Sequence, residues 1–314
     1  MSELLVVTGP TATGKTALAV QIALRTGGEV ISADSMQIYR RMDIGTAKPT
    51  AEEMHGVPHH MLDVAEPGEN FSAARYAEMA SACVDDILAR GRLPIVAGGT
   101  GLYIEGLLRG TEYAAAPADS ALRSRLEEEY DTMGGAAFRD RLRQVDPERA
   151  QILAERDKKR LVRAWEIYCL TGRTITEHDR ESRQRAPRYT ALTYVLDYED
   201  RQQLYDRIDR RAAKMFELGL VDEVRALMDA NVPMDGTAMQ AIGYKQTVDY
   251  LRGECTLQQA VELVQLRSRQ YAKRQLTWLR RDPDARWIRW KQQPDSEILE
   301  RTADEIVREM AKNR

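Results

Sequence analysis

The sequence predicts an α/β fold, a P-loop NTPase-like parallel sheet core that carries a helical insertion domain. Three observations lead there. An apolar run, Leu4 to Val7, ends in Thr8 and opens into Gly9-Pro10-Thr11-Ala12-Thr13-Gly14-Lys15-Thr16, after which Ala17 to Leu24 reads as a helix. Strand, glycine loop and helix in that order is the setting in which G-x-x-x-x-G-K-[ST] binds phosphate. Strand-like and helix-like runs then alternate to about residue 110, the pattern of a parallel sheet covered on both faces. From Asp119 to Arg185 the chain turns charged and helix-rich, and a strand-like run resumes at Ala191. The expected organisation is a first part of the core over 1–118, an insert over 119–185, and a second part of the core with basic C-terminal helices over 186–314.

Each element has a local reason. Gly9 and Gly14 let the backbone bend so that its N–H groups face an anion, and the helix N-terminus adds partial positive charge. Lys15 supplies a point charge for the outer phosphate, and the Thr16 hydroxyl is placed to ligate Mg²⁺. Glu29–Ser32 reads as the second strand, followed by Asp34-Ser35. The chain from Asp34 to Val64 is loop-rich and reads as a substrate-binding loop, with a strand at His60–Val64. His59 and His60 lack the spacing of a helical metal site and read as packing or hydrogen-bonding residues. A helix over Ser72–Arg90 leads to a strand at Leu93–Ala97, which ends in Gly98-Gly99-Thr100-Gly101 without a carboxylate, and a helix at Leu102–Arg109 follows. In the insert, Leu161, Trp165, Tyr168 and Cys169 recur at helical spacing. The strand Ala191–Leu196 ends at Asp197, which stays open as a Walker-B acid. Helices are expected at Arg201–Leu218, Asp222–Ala230, Ala241–Leu251 and Leu257–Trp278, then a strand at Arg286–Trp290 and a helix at Ser296–Met310. Ligands of parallel sheets sit at the carboxyl ends of the strands, so Asp34, Thr100 and the phosphate loop are expected at one rim.

The net charge of −3 over 314 residues argues against a general nucleic-acid coat. Local charge differs. Arg267, Arg269, Lys273, Arg274, Arg280, Arg281, Arg286 and Arg289 are interleaved with Tyr271, Trp278, Trp287 and Trp290, which suits a polyanion surface. A second cluster, Arg156, Lys158, Lys159, Arg160 and Arg163, suits either that role or a solvated helix face. No run is apolar enough to span a membrane. The chain enters its first strand at once, which leaves no room for a leader, and a cytoplasmic protein is expected. Cys83, Cys169 and Cys255 are few and scattered, as buried thiols in a reducing compartment would be.

The chain resembles the tRNA dimethylallyltransferases, or tRNA isopentenyltransferases, over nearly its whole length. The resemblance rests on Gly9–Thr16, Asp34–Tyr39, Met42–Pro49, Gly98–Tyr103, Arg207–Arg211, Ile242–Gln246 and Lys273–Arg280, in that order. It implies transfer of a dimethylallyl group from dimethylallyl diphosphate to N6 of adenosine 37 beside the tRNA anticodon, with Mg²⁺ as cofactor and release of diphosphate. Gly9 through Thr16 would hold the diphosphate, helped by Arg207 or Arg211; the two lie about one helical turn apart, and the motif does not choose between them. Asp34 takes the place of the general base, Thr100 orients a substrate, and Lys15 neutralises the leaving group. Contacts to the tRNA anticodon stem-loop would come from Asp34, Ser35, Met36, Gln37 and Thr100. Arg123, Lys158, Lys159, Arg160 and Arg163 in the insert would add to them. So would Gln240, Ala241, Ile242, Gly243, Tyr244 and Lys245, and Lys273, Arg274, Gln275, Leu276, Thr277, Trp278, Leu279 and Arg280. The target base would be flipped into a pocket, where the Gln37 amide is able to read an adenine edge. No Cys/His pair with metal spacing stands near the end of the sequence, so the C-terminal zinc finger of the eukaryotic branch is not expected, and a monomer is expected. The alternatives are an adenylate isopentenyltransferase acting on free AMP, ADP or ATP, a P-loop kinase of small metabolites, and a pure RNA-binding module.

Overall fold

The computed structural model describes residues 4–110 and 119–312. They fall into two compact units, Met1–Leu108 with Tyr189–Arg314, and Arg109–Arg188. The expected boundary at residue 118 lies outside the described residues.

The first unit is built on a six-stranded parallel sheet. Its strands are β1 (Leu4–Thr8), β2 (Glu29–Ser32), β3 (His59–His60), β4 (Pro94–Gly98), β5 (Ala191–Tyr198) and β6 (Arg286–Trp290), in the order β3-β2-β4-β1-β5-β6. Successive residues of a strand point to opposite faces, and both faces are apolar here. Leu4 and Val6 enter one core with the helices Ala73–Ala89, Gly101–Arg109 and Leu220–Asp229. Leu5 and Val7 enter the other, with Lys15–Thr26, Arg201–Glu217 and Ser296–Lys312. The chain leaves β1 towards one edge of the sheet and leaves β4 towards the other. The carboxyl ends of β1 and β4 therefore flank the point where the winding changes direction, the place where such sheets bind ligands.

The third strand is shorter than the expected His60–Val64. Met61 and Asp63 adopt φ of 63° and 54°, a left-handed conformation that cannot continue a strand. His59 and His60 serve local hydrogen bonding, as expected: His59 Nδ1 bonds the Val57 carbonyl, and His60 Nε2 bonds Glu29 at 2.7 Å.

The second unit is all helix: Ser120–Met133, Gly135–Arg143, Pro147–Ile152, Lys158–Thr171 and Ile175–Gln184. Leu126, Phe138, Leu142, Leu161 and Trp165 form its core. The cysteines depart from expectation. Cys169 is exposed and Cys83 and Cys255 are half-buried, all three as free thiols. No described helix is long and apolar enough to cross a membrane.

Candidate active site

The phosphate loop leaves the carboxyl end of β1 through Gly9, whose φ is +147°. A Cβ there would lie 2.4 Å from the Leu196 carbonyl oxygen, so no other residue fits without moving β5. Buried side chains hold the loop in shape. The Thr13 hydroxyl donates to the Pro10 carbonyl at 2.8 Å, and the Trp290 indole N–H donates to the Thr13 carbonyl at 3.0 Å. The Thr8 hydroxyl donates to the Gly98 carbonyl at 2.8 Å and ties the end of β1 to that of β4.

Lys15 reaches back to donate to the Pro10 carbonyl at 2.8 Å. Burial and the neighbouring Arg211 push its ammonium down to about 7, and Asp34 offsets this only in part. The same crowding lowers Arg211: burial first, with Arg207 adding to it and Asp34 opposing it. Arg211 Nη1 donates to the Thr11 hydroxyl at 3.2 Å, while Arg207 Nη1 is buried without a protein partner. Cations gathered in this way, with few counter-charges, have the electrostatics that suit an anion.

Asp34 follows β2 at the same rim. Its Oδ1 accepts from the Met36 N–H at 2.9 Å and, at 3.4 Å, from that of Gln37, so one oxygen caps the turn. No described protein group bonds its Oδ2. The Thr100 hydroxyl accepts from the Ser35 N–H at 3.0 Å, and the Thr100 N–H donates to the Ala33 carbonyl at 3.0 Å. The turns after β2 and β4 are thus locked together.

One cavity of about 1050 Å³ joins these parts. Thr11 to Thr16, Asp34 to Gln37, Arg207, Arg211, Gln240, Ala241 and Ile242 all line it, as does Gly45-Thr46-Ala47 from the expected substrate loop. Sequence reasoning missed three of its walls. Tyr271 lines the cavity beside Thr100 and Gln275, its phenol pushed up to about 12 mainly by burial. Arg210 and Lys214 extend the cationic face of the Arg207–Arg211 helix. Their spacing of three and four residues is the signal that could have found them.

Other expected residues have different surroundings. Asp197 is buried at the end of β5, paired with Arg201 at 3.3 Å, and does not line the cavity. The Gln37 amide is occupied: its oxygen accepts from the Ser32 hydroxyl and its nitrogen donates to the Ala47 carbonyl at 3.1 Å. Gly243 and Tyr244 are buried, and the Tyr244 hydroxyl donates to Glu223 at 2.6 Å, whereas Lys245 is exposed. Leu276 and Leu279 are buried, Gln275 is buried at the wall of the cavity, and Lys273, Arg274, Thr277 and Arg280 are exposed, with Arg274 also lining the cavity. Trp290 supports the phosphate loop and Trp278 packs on Gly101, so these indoles are packing groups and not a stacking platform. In the basic run, Arg269 is paired with Asp209 and Arg286 with Glu309.

The helical unit pairs most of its expected contacts internally. Glu166, fully buried, receives both Arg123 at 2.7 Å and Arg163 at 2.8 Å. Lys158 pairs with Asp131 and Arg160 with Asp157, both at 2.6 Å. Lys159 is exposed.

Thr16 and Asp34 both line the cavity. Hard oxygen donors of this kind suit Mg²⁺. Among the described residues no group of three or more His, Cys, Asp and Glu gathers to cage a metal. Such an ion would depend on phosphate oxygens and water for its remaining ligands, as Mg²⁺ commonly does.

Comparison with known proteins agrees with this geometry. The family model described as IPP transferase matches residues 37–282. A tRNA dimethylallyltransferase from Acetivibrio thermocellus is 46% identical over 288 residues, covering 92% of each chain. The crystal structure of a tRNA isopentenylpyrophosphate transferase from Bacillus halodurans superposes with a TM-score of 0.73 at 40% identity, covering 99% of this chain and 96% of that one. A eukaryotic dimethylallyltransferase acting on tRNA gives a TM-score of 0.81 at 27% identity, over 99% of this chain and 80% of that one.

Proposed function

The chain belongs to the IPP transferase family, the tRNA dimethylallyltransferases, and from that premise we propose how its cavity works. The reaction is transfer of a dimethylallyl group from dimethylallyl diphosphate to N6 of adenosine 37 in tRNA. One observation supports this above all: the phosphate loop with Lys15, the Arg207–Arg211 face and the Asp34 carboxylate line a single cavity. The loop, Lys15 and both arginines bind the diphosphate. As the bond between the allylic carbon and the bridging oxygen breaks, these cations take up the charge developing on the leaving group. Thr16 would hold Mg²⁺, which would supply further charge neutralisation. The N6 lone pair forms the new bond to carbon, and the N6 proton passes to the oxygen of Asp34 that the turn leaves free. Thr100, fixed to Ser35, holds the acceptor side of the cavity in register. The exposed Lys273, Arg274 and Arg280 provide phosphate contacts for the tRNA.

The family relatives favour tRNA over a free nucleotide as acceptor. The test is to incubate the protein with Mg²⁺ and dimethylallyl diphosphate, and in parallel unmodified tRNA, AMP, ADP or ATP. Prenyl mass on tRNA alone is the expected result. Mass on a free nucleotide would overturn the tRNA reading, and robust tRNA-independent ATP hydrolysis would overturn the use of the loop for a diphosphate donor.

A further inference from the structure

The segment 273–280 carries two populations of side chains. Lys273, Arg274 and Arg280 are exposed, as an RNA surface requires. Gln275 is 8% exposed, and both ends of its amide are taken. Its Oε1 accepts from the Thr11 N–H at 3.0 Å, and its Nε2 donates to the Gly99 carbonyl at 2.9 Å. Thr11 belongs to the phosphate loop after β1, and Gly99 immediately precedes Thr100 in the turn after β4. One amide therefore spans the two loops that frame the transfer.

The fit is close on both sides. A Cβ at Gly99 would lie 2.2 Å from Nε2, so with the amide in this place the turn packs directly against it. The helix Leu257–Leu279 is fixed about its own axis by the buried Ala272, Leu276 and Leu279, which delivers the amide to a set place. The Thr11 N–H is thereby committed to protein and not to an anion.

We propose that Gln275 is a positioning residue for the transfer reaction, acting through the two loops. It holds the phosphate loop, and so the donor, in register with the turn that bears Thr100, and through Ser35 with Asp34. The role rests on the transferase reading above. Glutamine is required because the span needs an acceptor at one end and a donor at the other.

Gln275→Met keeps the length and apolar packing and removes both hydrogen bonds. Steady-state transfer should show a raised KM for dimethylallyl diphosphate and a lowered kcat. The combined loss in kcat/KM for the donor should be about 10- to 100-fold, the scale of two buried hydrogen bonds and a misplaced reacting group. The Kd for tRNA should stay near that of the wild type, while the Tm falls by only a few degrees, as two lost hydrogen bonds require. Gln275→Glu adds a pH readout. The introduced carboxyl accepts from Thr11 in either state but donates to Gly99 only when protonated. Its deficit relative to the wild type should narrow as pH falls from about 8 to about 5.5.

Wild-type kinetics in Gln275→Met, a pH-independent deficit in Gln275→Glu, or an equal loss towards both substrates with a larger fall in Tm would each overturn the role. Calorimetric binding of inorganic diphosphate to the wild-type protein separates the two claims. If the wild type neither binds diphosphate nor transfers a prenyl group, the transferase reading fails. If it does both and Gln275→Met matches it, only the role of Gln275 fails.

Discussion

The cavity at the rim of the sheet and the helical unit treat charge in opposite ways. In the cavity, Lys15, Arg207 and Arg211 crowd together with few counter-charges, and two of the three lose basicity for it. In the helical unit, Arg123, Lys158, Arg160 and Arg163 each have a carboxylate partner within the unit. Cations left uncompensated cost the fold stability and repay it when an anion binds, whereas paired cations stabilise the fold that holds them. A basic motif in sequence does not separate the two cases, because the partners that decide it lie elsewhere in the chain.

The largest effect should follow from the crowded side of that contrast. Lys15→Met should nearly abolish transfer, as loss of a transition-state cation does, and it should raise the Tm of the ligand-free protein at about pH 6. The folded state holds the Lys15 pKa down, at about 7, so below that pH the fold carries a charged group it disfavours. An unchanged or lower Tm would place Lys15 in a relaxed setting. The same shift predicts that diphosphate binding takes up protons near pH 8 and few near pH 6, since the anion restores the basicity of Lys15. Calorimetry in buffers of different ionisation enthalpy reads this directly.

The paired side should answer in stability and hardly in chemistry. Burial alone raises the Glu166 carboxyl, but its bonds to Arg123 and Arg163 outweigh burial and hold it below the usual range. Glu166→Ala should cost about 1–3 kcal/mol by denaturant unfolding, the scale of hydrogen bonds to charged groups. That contribution is present above the unfolded carboxylate pKa and lost as pH falls through the lower, folded one. A variant as stable as the wild type would show the pairs to be incidental.

The smallest effects belong to the exposed basic face. Lys273→Glu should weaken tRNA binding and flatten its salt dependence by about one unit of slope, as one fewer counterion is released. Affinity for the donor should not move. No change in salt slope would make this face a solvated surface.

Much of this arrangement was legible in the chain. Gly9 to Thr16 between an apolar run and a helix gave the phosphate loop, and Asp34 and Thr100 stood just past apolar runs, so the rim followed from the geometry of parallel sheets. The short β3 was not legible, because the left-handed residues Met61 and Asp63 are neither glycine nor asparagine. Trp290 read as an exposed aromatic, yet its indole bonds Thr13, 277 positions away. Tyr244 and Gln275 sit in motifs that suggest RNA contact and are buried by helices whose rotation no local pattern sets. Periodicity shows which residues share a face; it does not show what that face meets.

The central claim is that Asp34 removes the N6 proton in a cavity whose cations hold the leaving diphosphate. Single-turnover transfer by Asp34→Asn, with tRNA and dimethylallyl diphosphate both saturating, tests it most directly. The substitution is nearly isosteric, keeps an oxygen for the Met36 N–H and removes the proton acceptor. The account predicts a rate lower by about 10²–10⁴-fold, with binding of both substrates intact. Wild-type transfer at saturation, with weakened binding alone, would contradict it and leave Asp34 the cap of its turn.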